Sequence, residues 1–505
     1  MGDAIEEEVG CLPTSIDEFT PTPTATKTHR ALFCKLAHLS YPLILCELFQ
    51  SLLPVIDIAF VGNLGKDELA IAALATTWFN FVNVTMFGFM TAVDTFLAQS
   101  FGAGQLTNYG IWAGNSLVIV FLATVIASGV MTLCGPFMHL IVSVDLANGA
   151  QAFALRLIPG LFPYFLFKVL SKYLQTQHIL APSTLIGLLA NIMNAVFNFS
   201  LIYLAGWGIA GSPWATTLTR TAELAMISLY INTKRNSVLE QTWPIVSCEN
   251  LCSEQVRPFT RIALPGALAF LARGGFFEAT TIMSSYLGIV NLGAHSIALS
   301  MNTFLFLTFP FAIGNAASIL VGTSTGEGKA LEARRSSHIS LVFSYLVQLS
   351  VISVLLLRRH EIASLFSKDE EVSDTLSKLI PIMCVFLFCD ASVATAGGIF
   401  RGIGRQKWLL RVNLFGSWLL AMPVAWCLAF RTNLGIYGLW WGMSVGVIIS
   451  AISCQYVLNV CIDWRRECLK STERLSSLDI SNKRSSCEPL LQDDNTRQIY
   501  NESLG

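Results

Sequence analysis

The sequence predicts an all-α integral membrane protein, with twelve transmembrane helices in two pseudo-symmetric six-helix lobes. Three observations carry that prediction. Of 505 residues, 53% are hydrophobic and only 13% charged, which is not the composition of a soluble chain. The apolar residues gather into about twelve segments, each near the roughly 20 residues that cross a bilayer core of about 30 Å. The second half of the chain also repeats landmarks of the first. Lipid offers no partner to backbone N–H and C=O groups, so such segments must be helices.

Residues 1–35 are polar and Thr/Pro-rich and are expected to form a disordered tail. The opening MGDAIEEEVG is acidic and lacks the basic-then-apolar pattern of a cleaved signal peptide. The N-lobe, 36–232, contains spans at 36–62, 68–101, 109–135, 147–174, 181–205 and 209–232. A polar linker covers 233–259. The C-lobe, 260–461, contains spans at 260–287, 292–323, 336–357, 374–402, 405–430 and 433–461. Residues 462–505 form a second polar tail, again expected to be disordered.

The internal repeat is legible in three places. Span four begins LIPGLFPYFLF at Leu157 and span ten LIPIMCVFLFC at Leu379. GWGIAG ends at Gly211 before span six, and NLGIYG ends at Gly438 before span twelve. Pro42 and Pro265 each open the first helix of their half. Parallel repeats of this kind, in transporters, place the substrate path between the halves.

Basic residues set the expected orientation. Lys27, Arg30, Lys234, Arg235, Arg257, Lys329, Arg334, Arg335, Arg405, Lys407, Arg465 and Arg466 all fall on one side. The other side holds little beyond Lys66, Arg358, Arg359, Lys368 and Arg431. The positive-inside rule then puts both termini in the cytosol. The Asn-x-Ser/Thr matches at Asn83 and Asn198 lie inside spans and Asn501 on the cytosolic side, so none reads as a glycan site. The membrane is the plasma membrane or a vacuolar or endosomal one, the latter loosely suggested by EPLLQDD at Glu488.

A net charge of −1 gives no sign of a nucleic-acid partner. The 13 cysteines lack metal-ligand spacing, including Cys248 with Cys252 and Cys384 with Cys389, and read as small apolar residues in a reducing compartment. Six of the seven histidines (His38, His139, His178, His295, His338, His360) are isolated, which argues against a metal-dependent membrane enzyme. No cofactor is expected.

The chemistry therefore rests on ionisable residues inside the spans. Each costs about 2.5–3.5 kcal/mol at mid-helix on insertion scales, so each needs a partner, a wet cavity or a function. They are Glu47, Asp57, Asp94, Lys168, Arg220, Glu223, Arg273, Glu278 and Asp390. Lys168 lies under two turns from a span end and is expected to snorkel. Arg220 and Glu223, three apart on one helix face, are expected to pair. Asp94 is expected to cap or brace a helix end. Asp57 follows Pro54, whose missing donor frees a carbonyl near the acid, and is the candidate for proton exchange. Arg273 is too deep to snorkel, and Glu278, five residues on, points about 140° away around the helix. Asp390 in span ten is the acid left for Arg273. Trp78, Phe79, Tyr164, Phe276 and Phe277 are candidates to line a cavity or simply to pack.

These residues resemble the multidrug and toxic compound extrusion (MATE) family of secondary transporters. FVGNLGKDELAIAALA at Phe60 is similar to the family's first inter-helix turn and AVDTFLAQSFGAGQ at Ala92 to its span-two ending. LGAHSIALSMNTFLFLTFPFAIGNAASILVG at Leu292 resembles its span eight and GIFRGIGRQKWLLRVNL at Gly398 its span-ten exit. The resemblance covers roughly 36–460. It implies a two-lobed antiporter that expels organic compounds against H⁺ or Na⁺ by alternating access. It implies a coupling cluster of Asp57, Asn194 and Thr216, with Asn198 where bacterial relatives carry a second Asp. It matches Asp390 to a span-ten acid and Glu278 to a second family acid. Arg273 falls where the family's span-seven Glu is expected, and a fixed Arg273–Asp390 pair would leave coupling to Asp57. Glu47 stands where many relatives have Asn, just before the matching Gln50.

The expected function is thus H⁺-coupled export of small organic molecules, with organic cations favoured because acids outnumber bases inside the spans. The alternatives are Na⁺ coupling or a flippase for a lipid-linked substrate. The coupling residues are Asp57, Asn194, Asn198, Thr216, Asp390 and Glu278. The substrate cavity is assigned to Glu47, Gln50, Trp78, Tyr164, Arg273 and Phe277. The partners are the substrate, the coupling ion and membrane lipid, and the chain is expected to be monomeric.

Overall fold

The computed structural model describes residues 23–475 apart from 141, 236–238 and 246–252, with side chains described from 29 onward except at 253–255. Cys248, Cys252, Asn501 and the EPLLQDD segment lie outside the described residues.

Twelve long helices run back and forth: α1 Pro23–Gly62, α2 Lys66–Gly102, α3 Leu106–Met131, α4 Val144–Thr176, α5 Ala181–Leu204, α6 Gly211–Thr233, α7 Ser253–Ser285, α8 Ile289–Gly326, α9 Ala330–Leu357, α10 Glu370–Gly402, α11 Gln406–Phe430 and α12 Gly435–Cys461. Eleven are long and apolar enough to cross a membrane. The exception is α6, whose threonines and the Arg220, Glu223 pair dilute its apolar residues. The expected spans match these helices to within about seven residues at their ends, except that α1 begins 13 residues before its expected start.

Prolines and π-helical turns break the regularity of these helices where backbone hydrogen bonds are missing or shifted. Pro42 and Pro54 lie inside α1, Pro159 and Pro163 inside α4, and Pro258 and Pro265 inside α7. Pro54 frees the carbonyl of Gln50, two turns before Asp57. A π-helical segment, Leu307–Phe311, interrupts α8 at Pro310.

Each half packs around its own core. One core joins α2, α3 and α4 with residues such as Phe96, Trp112, Phe165 and Tyr173. The other joins α8, α10 and α12 through Phe386, Phe400 and Trp440. A smaller third core crosses between the halves, seating Leu36, Leu39 and Leu43 of α1 on Ala312, Ala316, Ile319 and Leu320 of α8.

That crossing lies toward one face of the bundle, the basal face, where α1 begins and α12 ends. The lobes touch there along α2 against α7 and α8, and along α1 against α8. Small residues set the approach, as in membrane bundles generally. A Cβ added to Gly88 of α2 would lie 2.7 Å from Ala267 Cα of α7. One added to Gly102 would lie 2.7 Å from the Thr323 carbonyl carbon of α8. The basal seam is therefore backbone against backbone.

Two expectations of disorder are corrected. Helix α1 begins at Pro23, inside the tail assigned to 1–35, and Leu32 and Leu36 are buried. Residues 464–475, inside the tail assigned to 462–505, form a helix. Its apolar side chains recur at Trp464, Cys468 and Leu475, one helical face hidden within a charged sequence, and all three are buried. Arg474 of this helix donates to Gln99 Oε1 of α2 at 3.1 Å and to the Ile403 carbonyl after α10 at 3.0 Å, so it straddles both lobes.

Candidate functional site: four polar clusters

Asp57 sits one turn past Pro54 on α1, facing α5 and α6. Its Oδ1 accepts from Asn194 Nδ2 at 3.1 Å and from Asn198 Nδ2 at 2.8 Å. Its Oδ2 accepts from Thr216 Oγ1 at 2.8 Å. Asn194 and Asn198 are one turn apart on α5, so both amides reach the same oxygen. No ion pair to Asp57 is present among the described residues. The cluster is a carboxylate held by three neutral donors, with the buried Asn198 Oδ1 left without a partner. All four residues expected to form it do come together.

One and two turns basal on α1 and α6 lies a second cluster. Arg220 Nη1 donates to Glu223 Oε2 at 2.9 Å and to Gln50 Oε1 at 2.8 Å. Gln50 Nε2 donates to Glu223 Oε1 at 2.7 Å. The expected Arg220–Glu223 pair is present, and Gln50 closes it into a three-membered ring. The Arg220 guanidinium rests 4.2 Å from the Tyr164 ring centroid. This closed arrangement carries no net charge, so it braces the N-lobe next to Asp57.

The C-lobe cluster is the pair Arg273–Asp390, at 2.6 Å. Asp390 is fully buried and its Oδ1 has no partner. Arg273 lies over Phe306 at 4.4 Å and Phe277 at 5.2 Å, and it lines a cavity with Phe276, Phe277, Phe386 and Asn413. Glu278 is exposed on another side of α7, with no hydrogen bond or ion pair among the described residues. It stands apart from Asp390, as the helical spacing requires.

The fourth cluster was largely missed from sequence. Asp94 does not cap a helix. It pairs with Lys172 of α4, and its Oδ2 lies 3.4 Å from Arg401 Nε of α10. Arg401 is 2% exposed and also donates to Asn315 Oδ1 of α8 at 2.7 Å. Asn315 Nδ2 in turn lies 3.5 Å from Glu47 Oε1. The chain of contacts therefore crosses from N-lobe to C-lobe and back. The only sequence signal for it was the coincidence of an acid in AVDTFLAQ and an arginine in GIFRGIG, which no local rule connects.

These groups line a pocket between the two lobes. Its walls include Glu47, Phe87, Lys168, Phe270, Phe311 and Arg401. Lys168 does not snorkel. Its residue is 7% exposed, and its ammonium lies 5.3 Å from the Phe87 centroid and 5.7 Å from the Tyr164 centroid. Two turns from the helix end proves too far when aromatic rings hold the amine inward.

The six residues assigned to the cavity divide. Glu47 lines the basal cavity; Arg273 and Phe277 line the C-lobe one. Tyr164 backs Lys168 and Arg220, and Gln50 is locked in the Arg220 ring. Trp78 is a correction. Its indole donates to the Val130 carbonyl at 3.2 Å and packs on Phe81 and Phe137, so it belongs to the α2–α3 interface. Among the described residues no three His, Cys, Asp or Glu side chains are grouped to hold a metal ion.

Comparisons with known proteins agree with this arrangement. The MatE family model matches residues 42–200 and 265–427, one segment in each lobe. Multidrug and toxin extrusion protein 2 of Mus musculus is 30% identical over 451 residues, covering 87% of this chain and 78% of the relative. Multidrug and toxin extrusion protein 1 of Homo sapiens is 28% identical over 442 residues, covering 85% and 75%. The crystal structure of the eukaryotic MATE transporter AtDTX14 superposes with a TM-score of 0.83 at 26% identity, covering 89% of this chain and all of that one. A twelve-helix bundle with one family segment in each half, matched along most of its length by extrusion proteins, places the chain in the MatE family of multi-pass membrane transporters.

Proposed function

We propose that the protein exports small organic molecules bearing a cationic group, in exchange for H⁺, by alternating access between its two lobes. The observation that carries this reading is Asp57. It lacks a cationic partner among the described residues, and three neutral hydrogen bonds orient it in the membrane-spanning region. Such a carboxylate can take a proton without breaking an ion pair, and lose it when the surroundings change. Asp390 cannot do so while Arg273 holds it, so the C-lobe pair is the fixed element and the N-lobe acid the exchanging one.

With both termini in the cytosol, the basal face is the cytosolic face. The described conformation is then closed toward the cytosol by the α1–α8 and α2–α7 seams and by the Asp94–Arg401 contact. Export requires these contacts to part so that the cavity meets the cytosol, and to re-form after loading. The chain acts as a monomer in this reading, since each monomer contains both lobes and the cavity between them.

Sodium coupling is the second reading, favoured by one observation. The buried, unpartnered Asn198 Oδ1 stands beside Asp57 and Thr216, and all three offer oxygens of the kind that hard cations take. Purified protein in liposomes separates the two. A proton gradient alone should drive uptake of a fluorescent organic cation. Uptake driven only by a sodium gradient would replace H⁺ by Na⁺, and uptake indifferent to both would overturn ion-coupled exchange.

A further inference from the structure

We propose that the 464–475 helix is a strap that holds the two lobes closed at the basal face, with Arg474 as its clasp. The proposal rests on the alternating-access part of the export reading. The helix starts directly after α12. Asp463 Oδ1 accepts from the backbone N–H groups of Arg465 at 3.0 Å and Arg466 at 3.4 Å, an N-cap that begins a new helix. Its first two turns belong to the C-lobe. Trp464 is part of that lobe's apolar core. Glu467 accepts from Nε and Nη2 of Arg405, in the turn between α10 and α11, at 2.9 and 2.6 Å. Lys470 adds a third donor to Glu467 at 3.1 Å. A helix tied this firmly to one lobe moves with it.

The last turn reaches the other lobe. Arg474 donates from all three guanidinium nitrogens: Nε to the Lys470 carbonyl at 3.0 Å, Nη2 to the Ile403 carbonyl at 3.0 Å and Nη1 to Gln99 Oε1 at 3.1 Å. The first two acceptors belong to the strap and the C-lobe, and they aim the planar fork. The third belongs to α2 of the N-lobe. Gln99 is fully buried, and its Nε2 donates to the Gly402 carbonyl at 2.9 Å, so the C-lobe side holds both ends of this one amide. Gly404 makes room for the clasp. Its φ is +72°, and a Cβ there would collide with Arg474 Nη1 and lie 3.0 Å from Thr95 Cγ2. Parting the lobes at this face draws Gln99 away from Gly402 and Arg474 together, so each opening breaks a charge-assisted hydrogen bond. Because the crossing contact sits in the last turn, the helix can release the N-lobe without leaving the C-lobe.

The test is hydrogen–deuterium exchange on the full chain, purified in detergent, with thermal unfolding of the same samples. Arg474→Ala should speed exchange about tenfold in the α2 peptide around Gln99 and in the 401–405 turn, the effect of losing one hydrogen bond from a charged donor. The unfolding midpoint and exchange in the α3–α4 core should stay near wild type, which a merely structural role would not allow. Arg474→Lys keeps the charge without the fork and should fall between the two. Glu467→Ala should loosen the same peptides by releasing the helix from Arg405. Arg466→Ala, on the exposed face of the helix, should match wild type. Unchanged seam exchange in Arg474→Ala, equal acceleration in Arg466→Ala, or acceleration throughout the chain with a lowered midpoint would overturn the proposal. The readout needs neither substrate nor gradient. A chain whose seam loosens as expected yet carries nothing across a membrane overturns the export reading and leaves the strap standing, whereas transport with an unchanged seam overturns the strap alone.

Discussion

Replacing Asp94 by asparagine should open the basal seam. Asp94 is the anion shared by Lys172 and the 2%-exposed Arg401. Removing its charge strands a buried guanidinium whose remaining contacts are neutral, a hydrogen bond to Asn315 and the Phe311 ring at 5.3 Å. Breaking a buried ion pair from one side costs about 3–5 kcal/mol, and asparagine, which still accepts one hydrogen bond, belongs at the lower end. The cost falls on the closed state, because parting the lobes lets Arg401 meet water. At about 1.4 kcal/mol per tenfold, a 3 kcal/mol penalty moves the closed-to-open ratio by roughly 10²-fold. Hydrogen–deuterium exchange reads this directly. Peptides from the basal ends of α2 and α8, which pack backbone to backbone at Gly102 and Thr323, should exchange faster by about that factor. Lys172→Met is the control. That pair lies within the N-lobe, and Asp94 keeps Arg401, so exchange at the seam should stay near wild type. Unchanged exchange in Asp94→Asn, or equal acceleration in Lys172→Met, would refute the assignment of this contact as a cross-lobe lock.

Three further outcomes are expected. Arg273→Leu leaves the fully buried Asp390 without its cation and should lower stability by about 3 kcal/mol or more, with Asp390→Asn in the same chain restoring much of it; thermal unfolding of the three variants checks this. Gly88→Val places a side chain where Ala267 Cα lies 2.7 Å from a Cβ, an overpacking cost of about 1–3 kcal/mol on the closed state alone, so the folded variant should show faster exchange along α2 and α7. The 464–475 helix should undock in acid. Burial raises the Glu467 carboxyl, but Arg405 at 2.6 and 2.9 Å and Lys470 outweigh it, leaving the group below the usual 4.5. A depressed carboxyl contributes its full stabilisation above the unfolded value and loses it as pH falls through the folded one. Limited proteolysis of this helix should therefore accelerate as pH falls below the ordinary carboxyl value of 4.5 in wild type and depend far less on pH in Glu467→Gln.

Much of the fold was legible because membrane helices announce themselves. Length and hydropathy mark eleven of the twelve, and the GWGIAG landmark, echoed by NLGIYG before α12, marks the start of polar α6. Pairings local to one helix or one lobe were also within reach. Arg220 and Glu223 are three residues apart, and Arg273 lacked any other acid at its depth than Asp390. The family resemblance supplied the Asp57, Asn194, Asn198 and Thr216 cluster, and all three donors reach the Asp57 carboxylate. What sequence did not reveal is what joins the lobes. Asp94 and Arg401 are brought together by the α2–α10 approach, which depends on how two separate cores dock. Lys168 was misjudged for the same reason. Its distance from the helix end is a sequence property, but the aromatic rings that turn it inward come from α2 as well as α4. Trp78 looked like a cavity aromatic and is an interface one, since its partners Val130 and Phe137 flank the break after α3 that composition does not locate. The amphipathic face of 464–475 was masked by its charged neighbours.

The central claim is that Asp57 carries the ion coupling while the Arg273–Asp390 pair stays closed. Its most direct test is Asp57→Asn in liposomes, with uptake of a fluorescent organic cation followed both under an imposed pH gradient and as gradient-free exchange between equilibrated pools. The account predicts that gradient-driven uptake is abolished while exchange persists, since asparagine keeps the lobe packing but cannot take a proton. Gradient-driven uptake that survives in Asp57→Asn would contradict it and move the coupling to another acid.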